Sequence, residues 1–296
     1  MKKKVLDIMI DFETFGRQPN SVPINLAVVA FNRYAKTNPF VIPGIKSFDI
    51  CECIHNLPEI NNCGVFSPCY YNSRFHIMHF DVCACLLEGM TVEKETQDWW
   101  SSQSITAKKD LLLEERKLQT PFQVITEFSN WLSCLKKEVK ADEICIWSQG
   151  SDFDIAKLRF LVDRCKNLLS DNNQNFKHTI FRDARTVILE LGAKLYDGKR
   201  SFYCDKETGT IVLDGEPNKK EEIEDFNDIY DKIYPLDKWA KHLQLVDGVA
   251  TESEGIMSNY LFNLAVCGEA HNSLYDCMRS IYNVWWLNKA IETQMI

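Results

Sequence analysis

Val5-Leu6-Asp7-Ile8-Met9-Ile10-Asp11-Phe12-Glu13 is the stretch on which the reading of this 296-residue chain turns. The run from Val5 to Ile10 has the length and branched side chains of a buried strand, and two acids emerge at its C-terminal end. Asp11 and Glu13 stand two residues apart, which in extended backbone puts them on one face. Carboxylates held together on an apolar strand repel each other unless a cation neutralises them. A hard divalent ion such as magnesium meets that need. A pair of such ions about 3.5–4 Å apart stabilises both the attacking and the leaving oxygen of a phosphodiester displacement. Asp-x-Glu alone is a common string, so the rest of the chain must supply the context.

Two further segments do so. Glu143 to Trp147 reads as a strand, Ser148 to Asp152 as a turn carrying Gly150, and Phe153 to Leu169 as a helix with apolar Ile155, Leu158, Leu161 and Val162. Asp154 then falls in the first helical turn, with Asp152 as the better N-cap candidate. His271-Asn272-Ser273-Leu274-Tyr275-Asp276 opens a last helix that continues to about Thr293, with an apolar stripe of Leu274, Cys277, Met278, Ile281, Val284 and Trp285. An imidazole titrates near neutrality and can take a proton from an attacking water, and a carboxylate one turn further on can hold a metal.

In this order and these settings the residues resemble the DEDDh branch of the DnaQ-like 3′-to-5′ exonucleases. Asp11 and Glu13 match the first motif, Asp154 the second, and His271 with Asp276 the third. Within that branch the chain is similar to phage exonuclease A and to the exoribonucleases related to RNase AS. That likeness rests on Ile10-Asp11-Phe12-Glu13-Thr14-Phe15-Gly16 with Pro19-Asn20, on Glu88-Gly89-Met90-Thr91 leading to Trp99-Trp100-Ser101-Ser102-Gln103, and on Phe181-Arg182-Asp183-Ala184-Arg185-Thr186. The resemblance implies an α/β, ribonuclease H-like fold with a central mixed five-stranded sheet flanked by helices. It implies that the four acids hold two Mg2+ or Mn2+ ions, that His271 is the general base, and that the partner is the 3′ end of single-stranded DNA or RNA. The alternatives are an exoribonuclease specialised for RNA 3′ ends, or a nuclease-like non-catalytic module that recruits a polymerase or another protein, and retention of all five residues argues against the module. A homodimer is compatible with the resemblance.

The domain expected is a single one over residues 1–296, with a cysteine-rich insertion at 37–85 and a second insertion at 193–255 made of a hairpin, Phe202 to Leu213, and an acidic connector. No apolar run approaches membrane-spanning length, and Asp7 and Asp11 break what would be the apolar part of a signal peptide after Lys2-Lys3-Lys4, so a cytoplasmic protein of a bacterium or phage-infected host is expected. The twelve cysteines then read as reduced thiols. If their segments paired as strands, Cys51-x-Cys53 and Cys83-x-Cys85, with His79 to spare, would put sulfurs on one face. Zinc ribbons space their cysteines as Cys-x2-Cys, so structural zinc is not expected.

Net charge is −8, of which residues 216–232 carry −4, and four further acids are the metal-ligand candidates. The remainder is near balance, which suits a confined end-binding pocket better than a long basic groove. Ile24 to Asn32 and Ile45 to Ile54 read as the second and third strands, Thr91 to Ser102, Phe122 to Val139 and Leu236 to Leu243 as helices. Phe15, just past the acids, is placed to press against the terminal nucleotide. Of the adjacent Trp99 and Trp100 one belongs in the core, and the family pattern puts Trp100 and Gln103 near substrate. Arg182 and Arg185 could reach phosphate, or could be solvated arginines around a helix start capped by Asp183.

Overall fold

β1 (Val5–Thr14) is the strand expected from the opening run, and it lies inside a six-stranded sheet. β2 (Pro23–Phe31), β3 (Phe75–Phe80) and the two-residue β4 (Leu118–Gln119) follow on one side of it, β5 (Glu143–Ser148) and β6 (Ile180–Asp183) on the other. Only β2 runs against the rest, pairing antiparallel with both β1 and β3, while β3–β4, β1–β5 and β5–β6 are parallel. This is a mixed sheet flanked by helices, as expected, with β4 as a strand beyond the five. The computed structural model describes residues 3–36, 38–42, 75–103, 108, 117–166, 176, 179–197, 202–204, 211–213 and 272–294. The strand expected at 45–54 and the short helix at 236–243 lie outside them, as do Cys51 and Cys53. The strand that pairs with β2 is instead β3, drawn from the end of the stretch expected to be an insertion.

Helices cover both faces. α1 (Val82–Leu87) and α2 (Lys94–Ser102) precede β4, and α3 (Pro121–Val139) leads into β5. A single π turn, Ser151–Ile155, opens α4 (Ala156–Cys165), α5 (Ala184–Asp197) follows β6, and α6 (Ser273–Gln294) is last. The expected hairpin is present as β7 (Phe202–Cys204) against β8 (Ile211–Leu213). Because side chains alternate along a strand, β1 serves two cores. Leu6, Ile8, Ile10 and Phe12 pack with Val124, Phe128, Leu132 and Leu135 of α3 and Leu158 and Leu161 of α4. Met9 faces the other way, with Ala27 and Val29 of β2, Trp147 of β5, and Met278, Ile281 and Trp285 of α6.

Local chemistry fixes these elements. Thr120 and Gln123 form a reciprocal capping box ahead of α3, with Thr120 N donating to Gln123 Oε1 at 2.9 Å and Pro121 in the first turn where no amide is missed. The helix stops at Lys140, whose left-handed φ of 52° lets its N–H turn back to Lys136 and Lys137. On the α3 side, Glu127 accepts from Gln119 of β4 and bonds His76 of β3 at 2.7 Å, which pins the short edge strand to the helix. On the α6 side, buried Asp7 accepts from Trp147 Nε1 at 2.9 Å and pairs with Arg33 at 3.2 Å, so the acid that interrupts the first strand is neutralised in place. Cys83 and Cys85 sit on α1, a helix and not a strand, one exposed and the other buried, so they do not present two sulfurs to one face. Among the described residues no helix is long and apolar enough to cross a membrane.

Candidate metal centre and active site

Asp11 and Glu13 occupy the C-terminal end of β1, half-buried, while Phe12 and Thr14 between and after them are buried on the opposite face. The period of two therefore delivers both carboxylates to the α6 side. β5 pairs with β1 only as far as Met9↔Trp147. Beyond that point the chain leaves the sheet through the π turn, and Asp154 takes over the vacated edge: its Oδ1 accepts from Phe12 N at 3.1 Å. The carboxyl ends of diverging parallel strands are where open α/β sheets form crevices.

Asp152 is the expected cap for this turn, but the N-cap is Gly150, which has no side chain to bond the first turn. Gly150 O instead receives the N–H groups of Phe153 and Asp154, at 3.1 and 3.2 Å. Asp183 caps both its own helix, accepting from Thr186 N at 3.2 Å, and this turn, accepting from Ser151 N at 3.0 Å. The third element is α6. Asn272 Oδ1 accepts from Tyr275 N at 3.1 Å, an N-cap that places Asp276 in the first turn, and His271, the expected base, lies outside the described residues.

Carboxylate oxygens of Asp11, Glu13 and Asp276 all lie within 4.8 Å of one another. Asp154 is close enough to act on Asp11 and Asp276 through its charge. Burial, reinforced by the charges of Asp154, Asp276 and Glu13, holds the Asp11 carboxyl well above the usual range. Burial pushes Asp154 up to about 7, with Asp276 adding to it, while the Phe12 N–H, Lys157 and Arg185 pull the other way. Such repulsion is what an unneutralised cluster of acids must show, and a hard divalent cation relieves it. The donor set fits one. Cys277, buried beside them, has its thiol pushed far up by burial and by all four acids.

The loop after β1 is held rigidly. Phe15 N donates to Val22 O at 2.8 Å and Glu93 N to Phe15 O at 2.8 Å, which fixes Phe15 beside Glu13. A Cβ on Gly16 would stand 2.8 Å from Ser21 Cβ and 2.9 Å from Glu93 Cδ, so only glycine fits there. Trp100 is buried and donates its indole N–H to Thr14 O at 2.9 Å, and it is Trp99 that presents its ring to solvent. Trp100, expected near substrate, thus acts on the end of β1 from the core. Gln103 follows α2 and donates to Trp99 O at 3.2 Å. Arg182 lies over the Trp147 ring at 5.3 Å, whereas Arg185 stands close enough to Asp154 to act on its charge.

Lys157 was missed from sequence. Fully buried on α4, it donates to Gln18 O at 3.0 Å, Ser21 O at 2.8 Å and Ser21 Oγ at 2.8 Å, tying the loop after β1 to the turn that carries Asp154. Burial brings its ammonium down to about 8 despite Asp154 and Glu93, so it remains mainly charged at neutral pH. The available signal was its position three residues after Asp154, which on a helix shares a face.

Residues 6–214 match the model of the family described as the 3′-5′ exoribonuclease Rv2179c-like domain, a span that contains Asp11, Glu13 and Asp154 and ends before Asp276. A comparison with curated proteins finds no match. Among solved structures, a zinc-bound E. coli exonuclease I–single-stranded DNA complex aligns at 11% identity over 99% of this chain and 41% of that one, with a TM-score of 0.39. E. coli exonuclease I in complex with a 5cy-dA13 oligonucleotide aligns at 11% identity over 98% and 41%, with a TM-score of 0.41. A product-bound exonuclease I aligns at 12% identity over 88% and 46%, with a TM-score of 0.37. The chain thus spans less than half the length of the exonuclease I chains it matches. With more than two thirds of its residues inside the family match, the chain belongs to the family described as the 3′-5′ exoribonuclease Rv2179c-like domain.

Proposed function

We propose that the protein is a metal-dependent 3′-to-5′ exonuclease that removes nucleoside 5′-monophosphates one at a time from the 3′ end of single-stranded RNA. The observation that carries this reading is the cluster of Asp11, Glu13 and Asp276 within 4.8 Å, with Asp154 fixed beside it by the Phe12 amide. RNA is chosen over DNA on the family description. These four acids would hold two Mg2+ or Mn2+ ions, which when bound supply charge neutralisation at the scissile phosphate and a more acidic water. His271, five residues before Asp276, takes the proton of the attacking water. Phe15, held at both its N–H and its carbonyl, presents a ring against the terminal base, and stacking of this kind is tolerant of base identity. Trp100 keeps Thr14, and with it the end of β1, from moving as substrate enters.

End-labelled single-stranded RNA, single-stranded DNA and duplexes, offered in parallel with Mg2+ or Mn2+, test the reading against an Asp11→Ala control. Laddering from the 3′ end of the RNA, absent with the control, is expected. Internal cuts alone, or a control as active as the wild type, would falsify it.

A further inference from the structure

The metal-centre face of the sheet continues sideways from Glu13 into residues that the reaction as described does not use. In the β1–β2 register Glu13 stands directly opposite Asn25, and in the β2–β3 register Asn25 stands opposite His79. Opposed residues of an antiparallel pair share a face, with Cβ atoms about 4.5–5.5 Å apart. Asn25 is therefore the immediate neighbour of a metal-ligand candidate. It is fully buried, and among the described residues neither Oδ1 nor Nδ2 has a hydrogen-bond partner.

A second such group arrives from α6. That helix runs along β2 in the same sense, with Cys277 Sγ 3.7 Å from Ala27 O and Trp285 Nε1 donating to Ala35 O at 2.8 Å. Four residues back from Cys277 is about 6 Å of helix, equal to about two residues of strand, so Ser273 comes level with Asn25. Ser273 is buried as well, and its Oγ is without a partner among the described residues. Two elements thus bring three unsatisfied polar atoms to one place, beside Glu13 and one turn before Asp276. Buried amides and hydroxyls are almost always bonded.

We propose that Asn25 and Ser273 are positioning residues of the metal centre, holding the water shell of its divalent ion beside Glu13. The hydrogen-bond polarity agrees: water on a cation only donates, so Asn25 Oδ1 and Ser273 Oγ accept from it. Magnesium and manganese keep several waters when bound by few carboxylates, and outer groups that orient ligands are typically worth about 10–100-fold in affinity. The proposal rests on the metal-centre reading above.

Calorimetric titration of the full chain with Mn2+ tests it, with Asp11→Ala as the control for site binding. Asn25→Leu, close in size and apolar, is expected to weaken Mn2+ binding about 10-fold while leaving the metal-free melting temperature unchanged or raised, since it removes an unsatisfied amide. A residue with a purely structural role would do the reverse. Ser273→Ala removes one oxygen, remains informative should the leucine variant not fold, and is expected to weaken Mn2+ in the same direction. Wild-type Mn2+ affinity in the folded variants overturns the proposal. Absence of Asp11-dependent Mn2+ binding in the wild-type chain overturns the metal centre itself, so the two failures are distinct.

Discussion

Asp154→Asn separates the cost of the acid cluster from its use. Asp154 is buried, its carboxyl is pushed from 3.8 up to about 7, and its Oδ1 accepts from Phe12 N at 3.1 Å, a bond that the asparagine oxygen preserves. At 1.36 kcal/mol per unit, holding that carboxylate charged at pH 8 costs the metal-free fold roughly 4 kcal/mol. That figure is already net of the attraction of Lys157 and Arg185. An uncharged asparagine should therefore gain on the order of 4 kcal/mol, or roughly 8–16 °C in melting temperature. The sign with pH follows from the same shift. A carboxyl whose folded pKa exceeds its unfolded one supports stability that is full below about 4 and lost as pH rises through about 7. The variant's advantage should therefore be largest at pH 8 and disappear towards pH 4. Thermal unfolding in EDTA across pH 4–8 measures it. In Mn2+ the order should reverse, because only the wild type can bind with its full ligand set, and 3′-end hydrolysis by the variant should be lost. A variant that melts below the wild type at pH 8 in EDTA, or a gap that does not change with pH, refutes the reasoning.

Three other substitutions probe the supports of the site and of the sheet edge. Trp100→Phe keeps a ring in the core and removes the hydrogen bond to Thr14 O, at a cost of about 1 kcal/mol. It should raise KM for RNA more than it lowers kcat, as steady-state kinetics will report. Lys157→Met leaves Gln18 O and Ser21 O without their buried donor, so urea unfolding should show a loss of about 2–3 kcal/mol; an unchanged midpoint would mean the loop does not depend on this ammonium. Far from the site, the hydrogen bond from His76 is the main cause that holds Glu127 at about 2, below its usual 4.5, with the Gln119 hydrogen bond and the charges of His76 and Lys117 helping against burial. Its contribution to stability is then full above about 4.5 and lost as pH falls towards 2, so Glu127→Gln should flatten that part of the acid-unfolding curve followed by circular dichroism.

Legibility varied with the range of the interaction involved. The α6 boundaries and the Asp183 cap could be read because a cap and its helix lie within a few residues of each other. The role of Asp152 could not, since a π turn held by Gly150 O replaces the ordinary first turn that its side chain would have capped. Trp99 and Trp100 were known to point apart. Which of them entered the core depended on the distant Thr14 carbonyl.

By itself the sequence determined that Asp11 and Glu13 share one face of a central strand, that Asp154 and Asp276 begin helices, and that the chain has a nuclease's acids in a nuclease's order. Strand period, helix period and capping are local properties, readable from neighbours along the chain. Only the tertiary structure decided that Asp276, beyond the matched family region, comes within 4.8 Å of the β1 acids, that Asp154 replaces a missing strand partner at Phe12, and that Lys157 and Asn25 stand at the same site. Those contacts join residues more than a hundred positions apart, or neighbours across a strand register, and their geometry is set by how both faces of one sheet are buried together.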